Sequence, residues 1–227
     1  MDKIIIPNSL QHVNIVQAGK ARTIKSPIYK SDEYIDGRVI AIVPFPAAFT
    51  PICGSELPMY NSLKTQLELL NATIYFVSCD NVEKLIKYTT NGEIENGLLS
   101  VGELNYPIIS DVSGDLLSRL SLLEENSIPT PIRGLVVFAF DKFGATIKIH
   151  SEKRHKNISR NVGDLLTIIR AYRYIEQNDG RCLPNIYQEL ETLAYYHSLG
   201  FEVKNDQQDP TSARYYSSTI PIDPAIK

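Results

Sequence analysis

Cys53 is the residue of this chain best placed to act as a nucleophile. It lies in the stretch Pro46-Ala47-Ala48-Phe49-Thr50-Pro51-Ile52-Cys53-Gly54-Ser55-Glu56. The apolar run Val39 to Val43 before it reads as a buried strand, and Leu57 to Leu70 after it reads as a helix. Cys53 is therefore expected on the first turn of a helix, where backbone N–H groups are unpaired and the dipole is positive. A thiolate is stabilised in such a place, and the thiolate is the reactive form of cysteine. Thr50 can set a hydroxyl beside the sulfur, Pro46 and Phe49 can wall it from water, and Pro58 fits an early helical position. On the local pattern alone a second reading stands beside this one: a structural cysteine buried below a proline-rich turn.

The remaining elements follow from pattern. His12 to Gln17 and Ala21 to Lys25 alternate weakly around Gly19, consistent with a hairpin. Arg38 to Phe45 is the first strong strand and Ala72 to Cys79 the second. Asp80 and Asn81 can cap a helix running to about Thr90, and Asn91 to Glu103, with Gly92, Gly97 and Gly102, reads as a loop. Tyr106 to Ser110 is a short strand, and a helix follows it from Asp111 to about Leu123. Leu135 to Asp141 is the third strong strand, turned by Lys142-Phe143-Gly144 into a partner from Ala145 to His150. Ser159 to Ile175 carries Val162, Leu165, Leu166, Ile169 and Tyr172 at helical spacing. Pro184 to Tyr196 is a further helical stretch, and from Gly200 the chain reads as a polar tail. Strand and helix alternate, then an antiparallel pair and a helix follow. That order implies an α/β fold: a mixed central sheet with helices on both faces, the thioredoxin-like arrangement, and a C-terminal helical arm. The expected division is a domain over residues 1–178 and an arm over residues 179–227.

Composition narrows the function classes. A length of 227 residues suits one domain with an appendage, and 43% hydrophobic residues can fill its core. A net charge of -3 leaves no basic footprint for nucleic acid. Ile4-Ile5-Ile6 is too short for a signal peptide or a membrane span, so a cytoplasmic protein is expected. Three cysteines, Cys53, Cys79 and Cys182, are too few for a disulfide scaffold, and none forms a Cys-x-x-Cys pair. His12, His150, His155 and His197 show no metal-ligand spacing with them. Cys79, near the end of a buried strand, reads as a small core hydrophobe. Tyr195 and Tyr196 read as core residues of the last helix, with an aromatic lock over the site as the alternative.

Pro46, Thr50 and Cys53 together resemble the peroxiredoxin signature, with Cys53 at the peroxidatic position. The resemblance extends over about residues 30–190. Arg133 precedes the third strand, where the family places an arginine that points at the cysteine. A guanidinium there stabilises the thiolate and offers forked donors to a peroxide. Without Cys53 it would read as a solvated loop arginine. Glu56 stands where a family glutamate orients that arginine, and it also suits a helix N-terminus. Arg160 resembles a second family arginine more weakly. Asp179-Gly180-Arg181-Cys182-Leu183-Pro184 resembles the resolving-cysteine segment of typical two-cysteine members, although Leu183 separates Cys182 from Pro184. A bystander thiol is the other reading of Cys182. Ala48 stands where the family commonly has an acidic or polar residue and Gly54 where it has proline. There is no tryptophan and no Pro-x-Pro-x-Phe entry.

The resemblance implies a thiol-dependent peroxidase acting on hydrogen peroxide and small organic hydroperoxides. It needs no metal or organic cofactor. The Cys53 sulfenic acid would be resolved by Cys182 of a partner subunit, and a thioredoxin-like dithiol would restore both thiols. The expected assembly is a homodimer or an oligomer of dimers. The alternatives are a one-cysteine peroxidase resolved by an external thiol, and a holdase-type binding protein on the same fold.

Overall fold

The structure is a computed structural model that describes residues 12–26, 37–124, 127–140, 146–155 and 157–177. Its elements in chain order are β1 (His12–Gln17), β2 (Lys20–Lys25), β3 (Val39–Pro44), α1 (Pro51–Asn61), α2 (Lys64–Leu69), β4 (Ala72–Ser78) and α3 (Val82–Tyr88). Then come β5 (Ile94–Glu95), β6 (Leu98–Leu99), β7 (Ile108–Ser110), α4 (Asp115–Arg119), β8 (Gly134–Phe140), β9 (Thr146–Lys153) and α5 (Gly163–Gln177). The turn expected at residues 142–144, the segment with Cys182 and Pro184, the helix to Tyr196 and the tail lie outside the described residues.

A seven-stranded sheet runs in the order β2-β1-β7-β4-β3-β8-β9. β4 is parallel to both β3 and β7, while β1 pairs antiparallel with β7 and β8 antiparallel with β3 and β9. The sheet is thus mixed. β3 and β8 are buried at every position, which explains why they read as continuous apolar runs rather than alternating ones. Helices cover both faces. Ile40, Ile42, Val77, Val136 and Phe138 form one cluster with Leu116 and Leu117 of α4. Phe76 points to the opposite face, where its ring lies 6.2 Å from that of Tyr60 on α1.

The chain divides at Ile169 into two units. The first carries the sheet and Val162, Leu165, Leu166 and Ile169 as buried residues. In the described part of the second, Arg173 Nη1 meets Glu176 Oε2 at 2.7 Å.

Three boundaries differ from the pattern reading. The helix after β3 starts at Pro51, six residues earlier than Leu57, and breaks before Lys64. Thr50 has extended backbone and Pro51 takes the first helical position, so this pair opens the helix. Pro58 consequently sits in the helix interior rather than near its start, where its missing N–H removes one intrahelical bond. The loop from Asn91 contains the small β5–β6 hairpin. Its turn is Asn96-Gly97, with φ of 52° and 76°, the residue pair that two-residue hairpins favour. The helix expected from Asp111 is confined to Asp115–Arg119 because Gly114 caps it in the left-handed region at φ 75°.

Candidate active site

The end of β3 delivers the chain into the loop Phe45–Thr50 and then into α1, with Cys53 as its third residue. The first bond of that helix runs from Gly54 N–H to the Thr50 carbonyl at 2.8 Å. Pro51 has no N–H, and those of Ile52 and Cys53 precede the first helical bond, so their partial positive charge stays beside the sulfur. Cys53 is fully buried. A cleft of about 730 Å³ is lined by Asn81, Glu83, Asp111 and Asp115 and by none of the Cys53 group, so the thiol sits in packed protein rather than in this open depression.

The loop is held against its own preference. Phe49 has φ 55°, an outlier for a bulky side chain. Two contacts over-determine it. Its ring packs on Tyr88 with centroids 4.9 Å apart, and the adjacent Ala48 N–H donates to Asp80 Oδ2 at 2.7 Å. Asp80 is itself braced by the Ser78 hydroxyl at 2.7 Å and by Lys84 Nζ at 2.9 Å. The pattern reading offered Asp80 and Asn81 as alternative caps of α3. The cap is Asn81, whose side chain accepts from Lys84 N–H at 2.9 Å, while Asp80 reaches across to the cysteine loop.

Arg133 stands immediately before β8. The antiparallel register Ile42 with Val136 brings the start of β8 beside the end of β3, and therefore beside the cysteine loop. Gly134 lets the start of β8 lie close against β9: a Cβ there would lie 2.6 Å from the Glu152 carbonyl oxygen. Arg133 Nη2 donates to Cys53 Sγ at 3.4 Å and Nη1 donates to Glu56 Oε2 at 2.6 Å. One turn of α1 sets Cys53 and Glu56 on the same face, so a single guanidinium spans both.

Arg160 is the second cation of the site. Its Nη2 donates to Glu56 Oε2 at 2.7 Å, its backbone N–H donates to Oε1, and Nη1 ties the carbonyls of Pro44 at 2.8 Å and Gly134 at 2.6 Å. Ser159 adds a hydroxyl to Glu56 Oε1 at 3.1 Å. The Arg160 guanidinium also lies over the Tyr60 ring, 5.4 Å from its centroid. Burial pushes the Glu56 carboxyl upward, but the charge and hydrogen bonds of Arg160, followed by the charge of Arg133, outweigh it and hold its pKa below the usual carboxylate range. Glu56, Arg133 and Arg160 are all buried. Two guanidiniums against one carboxylate leave this buried cluster with an excess positive charge, and the Arg133 edge of it faces Cys53.

Thr50 is half-buried, and its hydroxyl donates to the Ala47 carbonyl at 3.0 Å. The oxygen keeps its lone pairs as acceptors. Pro46 is half-buried and Phe49 is buried. Cys53, Glu56 and Arg133 thus converge, with Arg160, Ser159 and Tyr60 in the same cluster; Pro46 and Thr50 belong to the loop that leads into it. Arg160 was the more weakly legible of the two arginines because nothing in the Ser159 to Ile175 helical pattern marks its inward direction. Ser159 and Tyr60 carried no distinguishing signal. Cys79 follows β4, is half-buried and packs against the core cluster. Among the described residues no group of histidine, cysteine and carboxylate side chains could hold a metal ion, and no helix is long and apolar enough to cross a membrane.

Known proteins resemble the chain in sequence and in fold. The model of the AhpC/TSA family matches residues 18–145, more than half of the chain. The chain is 27% identical over 191 residues to the chloroplastic 2-Cys peroxiredoxin BAS1 of Arabidopsis thaliana, covering 84% of this chain and 64% of that protein. It is 28% identical over 152 residues to the chloroplastic 2-cysteine peroxiredoxin of Chattonella marina var. antiqua, covering 67% of this chain and 73% of that one. Its fold superposes on the reduced 2-Cys peroxiredoxin of Plasmodium vivax with a TM-score of 0.63 at 18% identity, covering 76% of this chain and 82% of that chain. The likeness is thus at once one of sequence and of architecture, and the chain belongs to the AhpC/TSA family, the peroxiredoxins, on a thioredoxin-like fold.

Proposed function

We propose that the chain is a thiol-dependent peroxidase of hydrogen peroxide and small organic hydroperoxides, with Cys53 as the nucleophile. The observation that carries this reading is the guanidinium of Arg133, forked between Cys53 Sγ and Glu56. It is a permanent charge that stabilises the thiolate, and it is fixed in place by Glu56 before any substrate arrives. The thiolate donates an electron pair to one peroxide oxygen. The S–O bond forms, the O–O bond breaks, and the other oxygen leaves with its electron pair and takes up a proton as water or alcohol. Sulfur is oxidised by two electrons and the peroxide reduced by two. Arg133 holds the peroxide oxygens as charge develops, and the Thr50 hydroxyl, whose proton goes to the Ala47 carbonyl, accepts a hydrogen bond from the bound peroxide.

The sulfenic acid on Cys53 then condenses with Cys182 of a partner subunit, and a dithiol reductant of thioredoxin type restores both thiols. What supports the pairing is the resemblance of residues 179–184 to a resolving segment. The break in hydrogen bonding at Pro58 inside α1, together with the permissive backbone of Gly54, lowers the cost of unwinding the first turn to expose the sulfur.

Non-reducing electrophoresis after one equivalent of hydrogen peroxide tests this cycle. A covalent dimer is expected, lost in Cys53→Ser and in Cys182→Ser and restored, with one linkage per dimer, when the two variants are mixed. A persistent monomer that still consumes peroxide with a dithiol would instead establish a one-cysteine or intrachain cycle. A chain that consumes no peroxide but suppresses aggregation equally well after Cys53→Ser would be a holdase, and the peroxidase reading would be wrong.

A further inference from the structure

Tyr88, the last residue of α3, is fully buried, and among the described residues its hydroxyl has no hydrogen-bond partner. Native proteins leave few such groups, because a hydroxyl taken out of water without a partner is costly. The surroundings of Tyr88 are those of the Cys53 site. Its ring lies 4.9 Å from that of Phe49 and 6.2 Å from that of Phe45, so it braces both ends of the loop that carries Thr50 toward Cys53. The charges that reach its hydroxyl belong to the same site. Burial pushes the phenol pKa far up, and the charge of Cys53 is the next cause, followed by Asp80; Arg133 pulls the other way. The group therefore stays protonated and is a fixed donor at any working pH. It makes no bond to Cys53 Sγ in the reduced protein. A donor kept neutral, dry and unpartnered on a ring packed against the cysteine loop is suited to a partner that comes with the substrate.

We infer that the Tyr88 hydroxyl is a further peroxide-binding group, donating a hydrogen bond to a peroxide oxygen held between Cys53 and Arg133. This rests on the peroxidase reading above. In the displacement at Cys53 the tyrosine keeps its proton: it stabilises the charge that develops on oxygen and takes no part in the electron transfer. Its ring supports the strained backbone of Phe49, and the two roles separate cleanly, because phenylalanine retains the ring and removes only the hydroxyl.

Tyr88→Phe is the test. Oxidation of Cys53 by hydrogen peroxide, followed by rapid quench and mass spectrometry, should slow by roughly three- to tenfold, the scale of one hydrogen bond. Alkylation of the reduced thiol by iodoacetamide across pH should be unchanged, since the hydroxyl does not touch the resting sulfur. Thermal stability should be equal or higher, because an unpartnered hydroxyl has been removed. A wild-type oxidation rate overturns the proposal. So do equal losses in oxidation and alkylation, which would mean altered packing, and so does a marked loss of stability, which would mean that the hydroxyl has a structural partner. If Cys53 of the unaltered protein fails to react with peroxide, the peroxidase reading falls first and this inference falls with it.

Discussion

Cys53 and Cys79 occupy opposite electrostatic settings in the segments that follow the neighbouring parallel strands β3 and β4. Cys53 is fully buried at the start of α1, with a guanidinium nitrogen 3.4 Å from its sulfur. Cys79 is half-buried after β4. Burial, then the negative charges of Asp111 and Asp80, push the Cys79 thiol up to about 12. The more accessible thiol is thus held protonated near neutral pH. In the proposed function, reactivity follows the sign of the neighbouring charge and the direction of backbone dipoles rather than exposure.

That contrast can be broken outright by exchanging the cysteines for serine one at a time. Cys53→Ser should abolish peroxide consumption in a dithiol-coupled assay, and Cys79→Ser should leave it within about twofold of wild type, since surface and boundary substitutions away from the site change little. Retained activity in Cys53→Ser would hand the chemistry to another thiol.

The next largest effect is on stability. Glu56 is the carboxylate partner of two buried guanidiniums, and Glu56→Ala should cost about 3–5 kcal/mol in denaturant unfolding because it strands buried charge. Its pKa is held low in the folded protein, so the folded chain binds the proton less readily than the unfolded one. The stability it contributes is present above the ordinary carboxylate pKa and is lost as pH falls through the folded value. Asp111 is pushed up by burial, partly offset by the backbone N–H groups of Leu117 and Leu116, and acts with the opposite sign. The useful measurement is therefore the difference between wild type and Glu56→Gln: the variant should lose less stability on acidification. An identical acid limb in both would show that Glu56 is not the group being titrated.

Arg133→Ala sharpens the contrast by removing the cation and leaving Cys53 in place. Glu56 keeps Arg160, so folding should survive, while oxidation by peroxide should slow by roughly a hundredfold, the effect of losing a donor aimed at developing charge. Arg133→Lys should recover only part of that loss, because an ammonium cannot fork between sulfur and carboxylate. Wild-type kinetics in Arg133→Ala would remove this residue from the mechanism.

The smallest expected effect concerns rates of alkylation. With iodoacetamide at pH 7–8, Cys79 should react much more slowly than a free thiol even where it is accessible, and its reaction should accelerate toward pH 12. Rapid labelling of Cys79 near neutrality would show that Asp80 and Asp111 do not suppress its thiolate.

Much of this architecture was legible before any coordinates. The runs at Val39 to Val43 and Leu135 to Phe140 are apolar throughout because both faces of a central strand are covered, and both proved to be fully buried strands. Boundaries were harder. Thr50-Pro51 is a helix opening whose signal competed with the apolar pattern starting at Leu57. Asn96-Gly97 announces a tight hairpin, yet its flanking strands are only two residues long and leave no periodicity to detect.

Within the site the division has the same origin. The residue types at 53, 56 and 133, and the placing of a cysteine at a helix start, are properties of local sequence, and it is their resemblance to the family pattern that points to the proposed chemistry. What sequence could not decide is which groups face which. Glu56 bonds Arg160 across a separation of 104 positions and Arg133 across 77, and Ala48 bonds Asp80 across 32. No local propensity encodes such pairs. They exist because the β3–β8 register and the turn after β4 bring segments distant in sequence to the same end of the central strands, where burial makes an unpaired charge costly to leave. The unpartnered hydroxyl of Tyr88 emerges only at that level: in sequence it is one more aromatic residue on a helix, and packing alone puts it beside the sulfur's own loop.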